Sequence, residues 1–197
     1  MAALTPPLTT PTILVMDACV MMSGLQRRLM LALGACGLFQ PAWSERIGDE
    51  WRRNARRIWD IPAASLQADW DAMQSAFPGA MAHEVDQYEQ GLRYSDPKDW
   101  HVVAVAREMR ERHPGSPVEI LTLNLKDFNR SELRRLGLSA LTPDRKLAAW
   151  WPTHETRIRR AIAELDAADP PPGRPRLPMR ERLGRERLLQ LNRLLSA

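Results

Sequence analysis

Residues 12–20 read Thr-Ile-Leu-Val-Met-Asp-Ala-Cys-Val, and this stretch decides the fold. The apolar run 12–16 is short, contains β-branched residues and is flanked by turn-forming residues, which predicts a strand buried in a parallel sheet. Asp17 closes the run. Because open α/β sheets place their ligand sites at the carboxyl ends of the strands, Asp17 is the first candidate site residue.

Two further acidic residues lie in helices from which they are predicted to reach Asp17. Glu50 lies on the border of the buried face of a helix that is predicted to begin at Ser44. Asp99 lies in the first turn of another helix, for which Asp96 is the predicted N-cap. Asp96 already supplies the cap, so Asp99 is not needed for that purpose and becomes a candidate site residue.

A fourth acidic residue follows the strand predicted at residues 118–123. Asp127 lies there in the stretch Thr-Leu-Asn-Leu-Lys-Asp-Phe, residues 122–128, where Asn124 and Asp127 also suit a turn. Four carboxylates gathered in one cleft repel each other unless a divalent cation neutralises them. The pattern therefore suggests metal-dependent phosphodiester chemistry.

The composition is typical of an ordinary globular protein. The chain has 197 residues, of which 44% are hydrophobic and 26% are charged. No apolar run approaches the ~20 residues of a membrane span, and the N-terminal stretch lacks the basic region of a signal peptide. Cys19 and Cys36 form neither a metal-binding spacing nor a disulfide framework. We therefore expect a cytoplasmic protein without a membrane segment.

Helices and strands are predicted to alternate along residues 12–167. The helices are predicted at residues 24–37, 44–58, 64–77, 80–90, 96–112, 131–136 and 144–167, and the strands at 12–16, 38–41, 118–123 and 138–141. Cys36 and Ile58 are predicted on buried helix faces, and His101 on a helix surface. Such alternation predicts an α/β fold in which helices cover both faces of a central parallel sheet, giving three α/β/α layers.

The C-terminal part is predicted to be a helical, basic extension. Residues 1–11 are assigned to an N-terminal tail, 12–145 to the main domain, and 146–197 to the extension, with a Pro-rich linker at 169–178. Residues 170–197 hold seven arginines and two glutamates, a balance of +5, which leaves −1 for residues 1–169. A final helix is predicted at 179–195, with a leucine face. Such a basic segment suits either a polyanion or a protein partner.

Four blocks of the sequence together resemble a PIN domain. They are residues 13–20, 41–50, 96–106 and 121–128, which contain Asp17, Glu50, Asp99 and Asp127 respectively. The order and approximate spacing of the blocks are similar to those of that family. Among PIN domains, the chain is most similar to the VapC-like toxins of bacterial toxin–antitoxin pairs, over about residues 12–145.

The resemblance implies a Rossmann-like fold and a Mg²⁺- or Mn²⁺-dependent endoribonuclease that leaves a 5′-phosphate. It implies that Asp17, Glu50 and Asp99 bind the metal, that Asp127 acts with them, and that Thr122, Asn124 and Asp96 support the site. Asn124 stands where many members carry an acid, so Asn124 and Asp127 are both candidates for the fourth position. The implied partners are an RNA substrate, a cognate antitoxin and a second copy in a homodimer. The leucine face of the final helix is the predicted site of dimer or antitoxin contact.

Other functions fit the same residues less well. A haloacid-dehalogenase-like phosphatase needs a second aspartate two residues after Asp17, where Cys19 stands. A receiver domain needs an acidic pair that the sequence does not offer. A PIN-like module that binds RNA or protein without catalysis, and a housekeeping RNA-processing nuclease, both stay open as alternatives to a toxin.

Overall fold

The computed structural model of the protein describes residues 11–168 and 177–196. Most of the predicted N-terminal tail, residues 1–10, lies outside the described residues, as do residues 169–176 of the predicted linker and residue 197. The strands are β1 Ile13–Met16, β2 Gln40–Ser44, β3 Met81–Ala82, β4 Val118–Leu121 and β5 Ser139–Leu141. The helices are α1 Ala18–Met22, α2 Gly24–Ala35, α3 Glu45–Trp59, α4 Ala63–Ala76, α5 Trp100–Arg112, α6 Arg130–Arg135, α7 Pro143–Ala167, α8 Met179–Arg185 and α9 Leu189–Leu194.

The strands form one parallel sheet with β1 at its centre. Their order is β3-β2-β1-β4-β5, and Val15 of β1 pairs with Ala42 of β2 on one side and with Ile120 of β4 on the other. The chain therefore builds the sheet outward from β1 in one direction and then returns to extend it in the other. This makes the β1–β4 boundary the topological switch point, where a crevice opens at the carboxyl ends of the strands.

The predicted α/β class with a central parallel sheet is confirmed. Helices flank the five-stranded sheet, and the arrangement is compatible with a Rossmann-like three-layer fold. All four residues of β1 are fully buried, as expected for a central parallel strand. None of the helices within the described residues is long and apolar enough to cross a membrane.

Local capping signals predicted the helix starts correctly. The hydroxyl of Ser44 accepts a hydrogen bond from the Ile47 backbone N–H at the start of α3. The Asp96 carboxylate accepts one from the Lys98 N–H, 3.0 Å away, at the start of the 3₁₀ turn Pro97–Asp99 that leads into α5. Short polar side chains satisfy the free N–H groups of a first helical turn, which explains why these positions are readable from sequence.

Several predicted elements were wrong where tertiary contacts decide. The second strand lies at Gln40–Ser44 rather than at 38–41. The helix predicted at 80–90 is instead the short strand β3 followed by a 3₁₀ turn, Asp86–Glu89. Met81 and Ala82 pair with the end of β2, and a two-residue strand leaves no periodic pattern to detect. Cys36 and Ile58, predicted as buried, lie exposed at the carboxyl ends of their helices.

The final helix predicted at 179–195 is two helices, α8 and α9, in the described part of the chain. Arg187, between them, adopts a left-handed backbone with φ of 58°, which ends a right-handed helix. The leucine face does not form an open surface, because Leu183, Leu188 and Leu191 are each at most 1% exposed within the chain's own core. These three leucines are therefore not available for the predicted dimer or antitoxin contact, and that contact stays a prediction for the exposed surface of α8 and α9.

The C-terminal helices are attached to the main body by specific polar contacts. The Asp144 carboxylate accepts hydrogen bonds from the N–H groups of Gln190 and Leu191 at the start of α9, both 3.0 Å away. Ser23 donates to the Glu186 carboxylate at 2.5 Å. The predicted boundary at residues 145/146 lies inside α7, whose apolar side chains share one hydrophobic core with the sheet and with α9.

A cluster of tryptophans packs α3 against α4. Trp70 lies 5.9 Å from Trp43 and 6.3 Å from Trp51, measured between ring centroids. Gly48 makes this packing possible, since a Cβ atom there would lie 2.5 Å from the Trp70 ring. The tight contact fixes α3, and with it Glu50, relative to the sheet.

Candidate active site

Asp17 lies at the carboxyl end of β1 and is only 4% exposed. Its backbone N–H donates to the Leu121 carbonyl at the end of β4, 3.1 Å away. The Thr122 hydroxyl donates to Asp17 Oδ2 at 2.6 Å, and the Cys19 thiol donates to the same oxygen at 3.0 Å. The carboxylate is thus held at the crevice between β1 and β4.

Cys19 and Thr122 form a small network beneath Asp17. The Leu123 N–H donates to Cys19 Sγ at 3.1 Å, and the Asn124 N–H donates to Thr122 Oγ1 at 2.9 Å. Burial and the neighbouring Asp17 charge raise the pKa of the Cys19 thiol, so Cys19 stays protonated and donates rather than acting as a nucleophile. These contacts orient Asp17 and anchor the loop after β4.

Asp99 is partly buried and directly precedes α5. The Asp99 N–H bonds to the Asp96 carbonyl at 2.9 Å, and the Asp96 N–H bonds to the Asp127 carbonyl at 2.8 Å. The start of α5 is therefore tied to the loop after β4. Asp99 and Asp127 are both partly buried, and these two bonds fix the backbone on which they lie.

Three carboxylates near the carboxyl ends of β1 and β4 interact electrostatically. The pKa of Asp99 is raised from its ordinary value of 3.8 to about 6, first by burial and then by the negative charges of Asp17 and Asp127. Like charges in one poorly solvated site disfavour ionisation, so these carboxylates repel each other in the absence of a cation. Asn124, in contrast, is exposed, and its contact with the site is made by its backbone N–H.

Glu50 is connected to this crevice through His101. The Glu50 Oε2 atom lies 3.4 Å from His101 Nε2, and His101 is 2% exposed. The pKa of Glu50 is lowered, mainly by contact with His101. Burial acts in the opposite direction, and the charges of Arg53 and Arg46 make smaller contributions that lower the pKa further. The His101 charge also acts to lower the pKa of Asp99, so this imidazole interacts with both carboxylates.

His101 is a site residue that sequence reasoning placed wrongly on a helix surface. Helix α5 is buried nearly all round over residues 101–106, so the usual distinction between an inner and an outer face does not apply to it. The signal was present in the unbroken apolar run Val102–Ala106, which begins directly after His101.

The side chains as they stand do not form a closed coordination shell. Among the described residues, no three His, Cys, Asp or Glu side chains are close enough together to hold a metal ion. The structure nevertheless brings Asp17, Asp99 and Asp127 into electrostatic contact and links Glu50 to them through His101. Thr122 and Asp96 support the arrangement through the hydrogen bonds already described.

The raised pKa of Asp99 predicts an unusual pH dependence of stability. Because the folded protein binds this proton more tightly than the unfolded chain, the metal-free protein should lose stability as the pH rises through about 6. Asn mimics the protonated acid, so Asp99→Asn should raise the melting temperature above that pH and change it little below 3.8. Thermal unfolding followed by circular dichroism in EDTA measures this; a variant less stable than the parent above the pKa would contradict the assignment.

Comparison with known proteins identifies no relative. The chain matches no protein-family profile, no curated protein sequence and no solved structure.

Proposed function

We propose that this protein is a Mg²⁺- or Mn²⁺-dependent endoribonuclease with a PIN-like domain. The observation that carries the proposal is that Asp17 ends β1 at the β1–β4 switch point and that its charge and the charge of Asp127 both act on Asp99, which lies on a third segment. Hydrogen bonds fix two of these segments: Thr122 Oγ1 donates to Asp17 Oδ2 at 2.6 Å, and the Asp96 N–H donates to the Asp127 carbonyl at 2.8 Å. Crevices at such points are the usual ligand sites of open α/β sheets.

The donor set fits a hard divalent cation. The crevice offers carboxylate oxygens, which Mg²⁺ and Mn²⁺ prefer, and Cys19 is held protonated and therefore is a poor ligand. Asp17, Asp99 and Asp127 would hold the ion, with Glu50 beside them. When bound, the ion lowers the pKa of a coordinated water and stabilises charge on the phosphate.

The chain's own residues have separable roles in this proposal. Thr122 and Cys19 both donate to Oδ2 of Asp17, which fixes that carboxylate. Contact with His101 lowers the pKa of Glu50, so this carboxylate stays ionised at neutral pH, as an electrostatic partner of a cation must. His101 positions Glu50 and limits the build-up of negative charge. Asp127 supports the fourth acidic role better than Asn124, because its charge reaches Asp99.

The biological role that fits this chemistry is that of a VapC-like toxin. Support comes from the sequence blocks around Asp17, Glu50, Asp99 and Asp127, which resemble that family in order and spacing. The proposed partners are single-stranded RNA, a cognate antitoxin that blocks the acidic cleft, and a second copy of the chain. An arginine from the antitoxin would pair with these carboxylates. A housekeeping RNA-processing nuclease would use the same site.

Cleavage of total cellular RNA by the purified protein tests the proposal. With Mg²⁺ or Mn²⁺ we expect fragments that carry 5′-phosphates, and with excess EDTA we expect none. Re-addition of the metal should restore cleavage, which separates metal removal from damage to the protein. Metal-independent cleavage that survives EDTA would contradict the proposed chemistry.

A non-catalytic PIN-like binding module is the second candidate. The observation that favours it is the absence, among the described residues, of three side chains close enough to hold an ion. A folded protein that neither cleaves RNA nor shows a rise in melting temperature with Mn²⁺ would support this second candidate over the nuclease.

A further inference from the structure

One face of α3 leads away from the carboxylate crevice and is lined by arginines. Arg46, Glu50, Arg53 and Arg57 follow each other at spacings of four, three and four residues, which places them on one side of a helix. Glu50 therefore lies within a row of positive charges. The row is continuous with the site, because Glu50 is part of it and lies 3.4 Å from His101, measured from Oε2 to Nε2.

The arginines of α3 fall into two groups that differ in their partners. Arg46 is paired with Glu89 at 2.7 Å, and Arg52 is paired with Asp49 at 2.5 Å and stacks on Trp70. Arg53, Arg56 and Arg57 are exposed, and none of the three forms an ion pair within the described part of the chain. Only the first group is therefore held by partners within the fold.

Helix electrostatics account only in part for the unpaired group. Arg53 and Arg57 are four residues apart, and like charges at that spacing destabilise a helix. Attraction between Arg53 and Glu50, three residues earlier, offsets part of this cost. The helix dipole favours positive charge in the last turn, where Arg57 lies, but not one turn earlier, where Arg53 lies.

The surface around these arginines is open and concave. A groove of about 660 Å³ lies between α3 and α4, and both Arg53 and Arg57 contribute to its lining, together with Arg56. Two acids, Asp49 and Asp60, also line the groove, but the four arginines of the lining outnumber them and leave it with a net positive charge. A polyanion fits such a surface, because guanidinium groups bind phosphates through paired N–H donors.

We propose that Arg53 and Arg57 bind backbone phosphates of single-stranded RNA on one side of the bond to be cleaved. The inference rests on the proposed function, because the phosphodiester at the carboxylates fixes where the strand begins its path along α3. The two arginines offset the repulsion between the acidic crevice and the RNA backbone. They contact phosphates rather than bases, so they confer affinity without sequence preference.

Binding of a fluorescein-labelled single-stranded RNA of mixed sequence, followed by anisotropy in EDTA, tests the proposal without cleavage. The double variant Arg53→Gln with Arg57→Gln should bind more weakly at low salt. Its slope of log K against log salt should be shallower by about 1.4, from about 0.7 for each lost phosphate contact on a single strand. Circular dichroism confirms that the variant is folded.

The matched control is the double variant Arg157→Gln with Arg180→Gln. Both arginines are exposed on α7 and α8, and no ion pair of either is present within the described residues, so the same charge is removed elsewhere. The control should bind like the parent. A loss of binding confined to the control would overturn the proposal. So would an unchanged salt slope in the α3 variant, and that result would point to a protein as the partner of this face.

The binding assay also separates this inference from the proposed function. If the parent protein binds RNA through Arg53 and Arg57 but never cleaves it, the path along α3 stands and the nuclease does not. If cleavage is metal-dependent while RNA binding is unaffected by the double variant, the nuclease stands and the path along α3 is wrong.

Discussion

Replacement of Asp99 by asparagine is expected to reduce metal-dependent RNA cleavage by at least about 100-fold. Loss of a residue that only hydrogen-bonds to a metal ligand typically costs ~10–100-fold, and loss of a ligand itself should cost more. The side chain keeps its size and its place at the start of α5, so the fold should be retained. What is lost is the negative charge at the point where Asp17 and Asp127 also act. The measurement is the initial rate of cleavage of a defined RNA in Mn²⁺.

Asp86 supplies the matched control for this substitution. Like Asp99, Asp86 lies in the first turn of a short 3₁₀ helix. Asp86 is exposed, and its carboxylate is not among the charges that shift the pKa of Asp99. Asp86→Asn should cleave at the parental rate. Full activity in Asp99→Asn would rule out Asp99 as a metal ligand and with it the arrangement of the site proposed above.

Loss of the Glu132 carboxylate is expected to cost about 3–5 kcal/mol of folding free energy. Glu132 is 4% exposed, and its Oε1 accepts hydrogen bonds from the N–H groups of Arg93 and Tyr94, at 2.8 and 3.2 Å. Its Oε2 accepts from the Ser95 N–H at 2.8 Å. Glu132→Ala leaves these three donors without their acceptor. Urea unfolding measures the loss.

Glu132 also anchors the segment that leads to Asp99 in the candidate site. Ser95, which it holds, precedes Asp96, and Asp96 is joined to Asp127 and caps the turn that carries Asp99. Glu132→Gln keeps one acceptor oxygen and should cost less than Glu132→Ala. The control Glu155→Ala removes only a surface pair with Arg159 and should cost about 0.5 kcal/mol or less. Equal losses in Glu132→Ala and the control would contradict the anchoring role.

The stabilisation by Glu132 should depend on pH in the opposite sense to that of Asp99. Burial raises the pKa of Glu132, but the bound N–H groups outweigh burial, and the net shift is downward from 4.5. The contribution is therefore present above pH 4.5 and is lost as the pH falls through the lowered pKa. The difference in stability between the parent and Glu132→Ala should shrink in that acidic range.

Sequence patterns were most informative where the physical cause is local. The buried run before Asp17 and the caps at Ser44 and Asp96 depend on neighbouring residues alone, and the structure confirms all three. The parallel sheet followed from the alternation of such elements. Because Asp17 ends the central strand at the switch point, its place at the carboxyl edge was also predictable.

The remaining features depend on contacts between distant segments. The strand Met81–Ala82 exists only because it pairs with β2, and the break at Arg187 follows from how α8 and α9 pack on the body. The burial of His101 and its contact with Glu50 require two helices to meet, which no local pattern specifies. The proposal of Asp127 rather than Asn124 for the fourth acidic position rests on the electrostatic interaction with Asp99, which no local pattern reveals.

The contact between Ser23 and Glu186 has a consequence for biosynthesis, because it joins residues 163 positions apart in the chain. Ribosomes add about 5–20 residues each second, so α2 waits roughly 8–33 s for its C-terminal partner to be made. During that interval the leucine pockets filled later by Leu183 and Leu191 are open on the nascent chain. Folding of this domain therefore finishes only after the segment around Glu186 has been made, and its exposure to chaperones or proteases lasts until then.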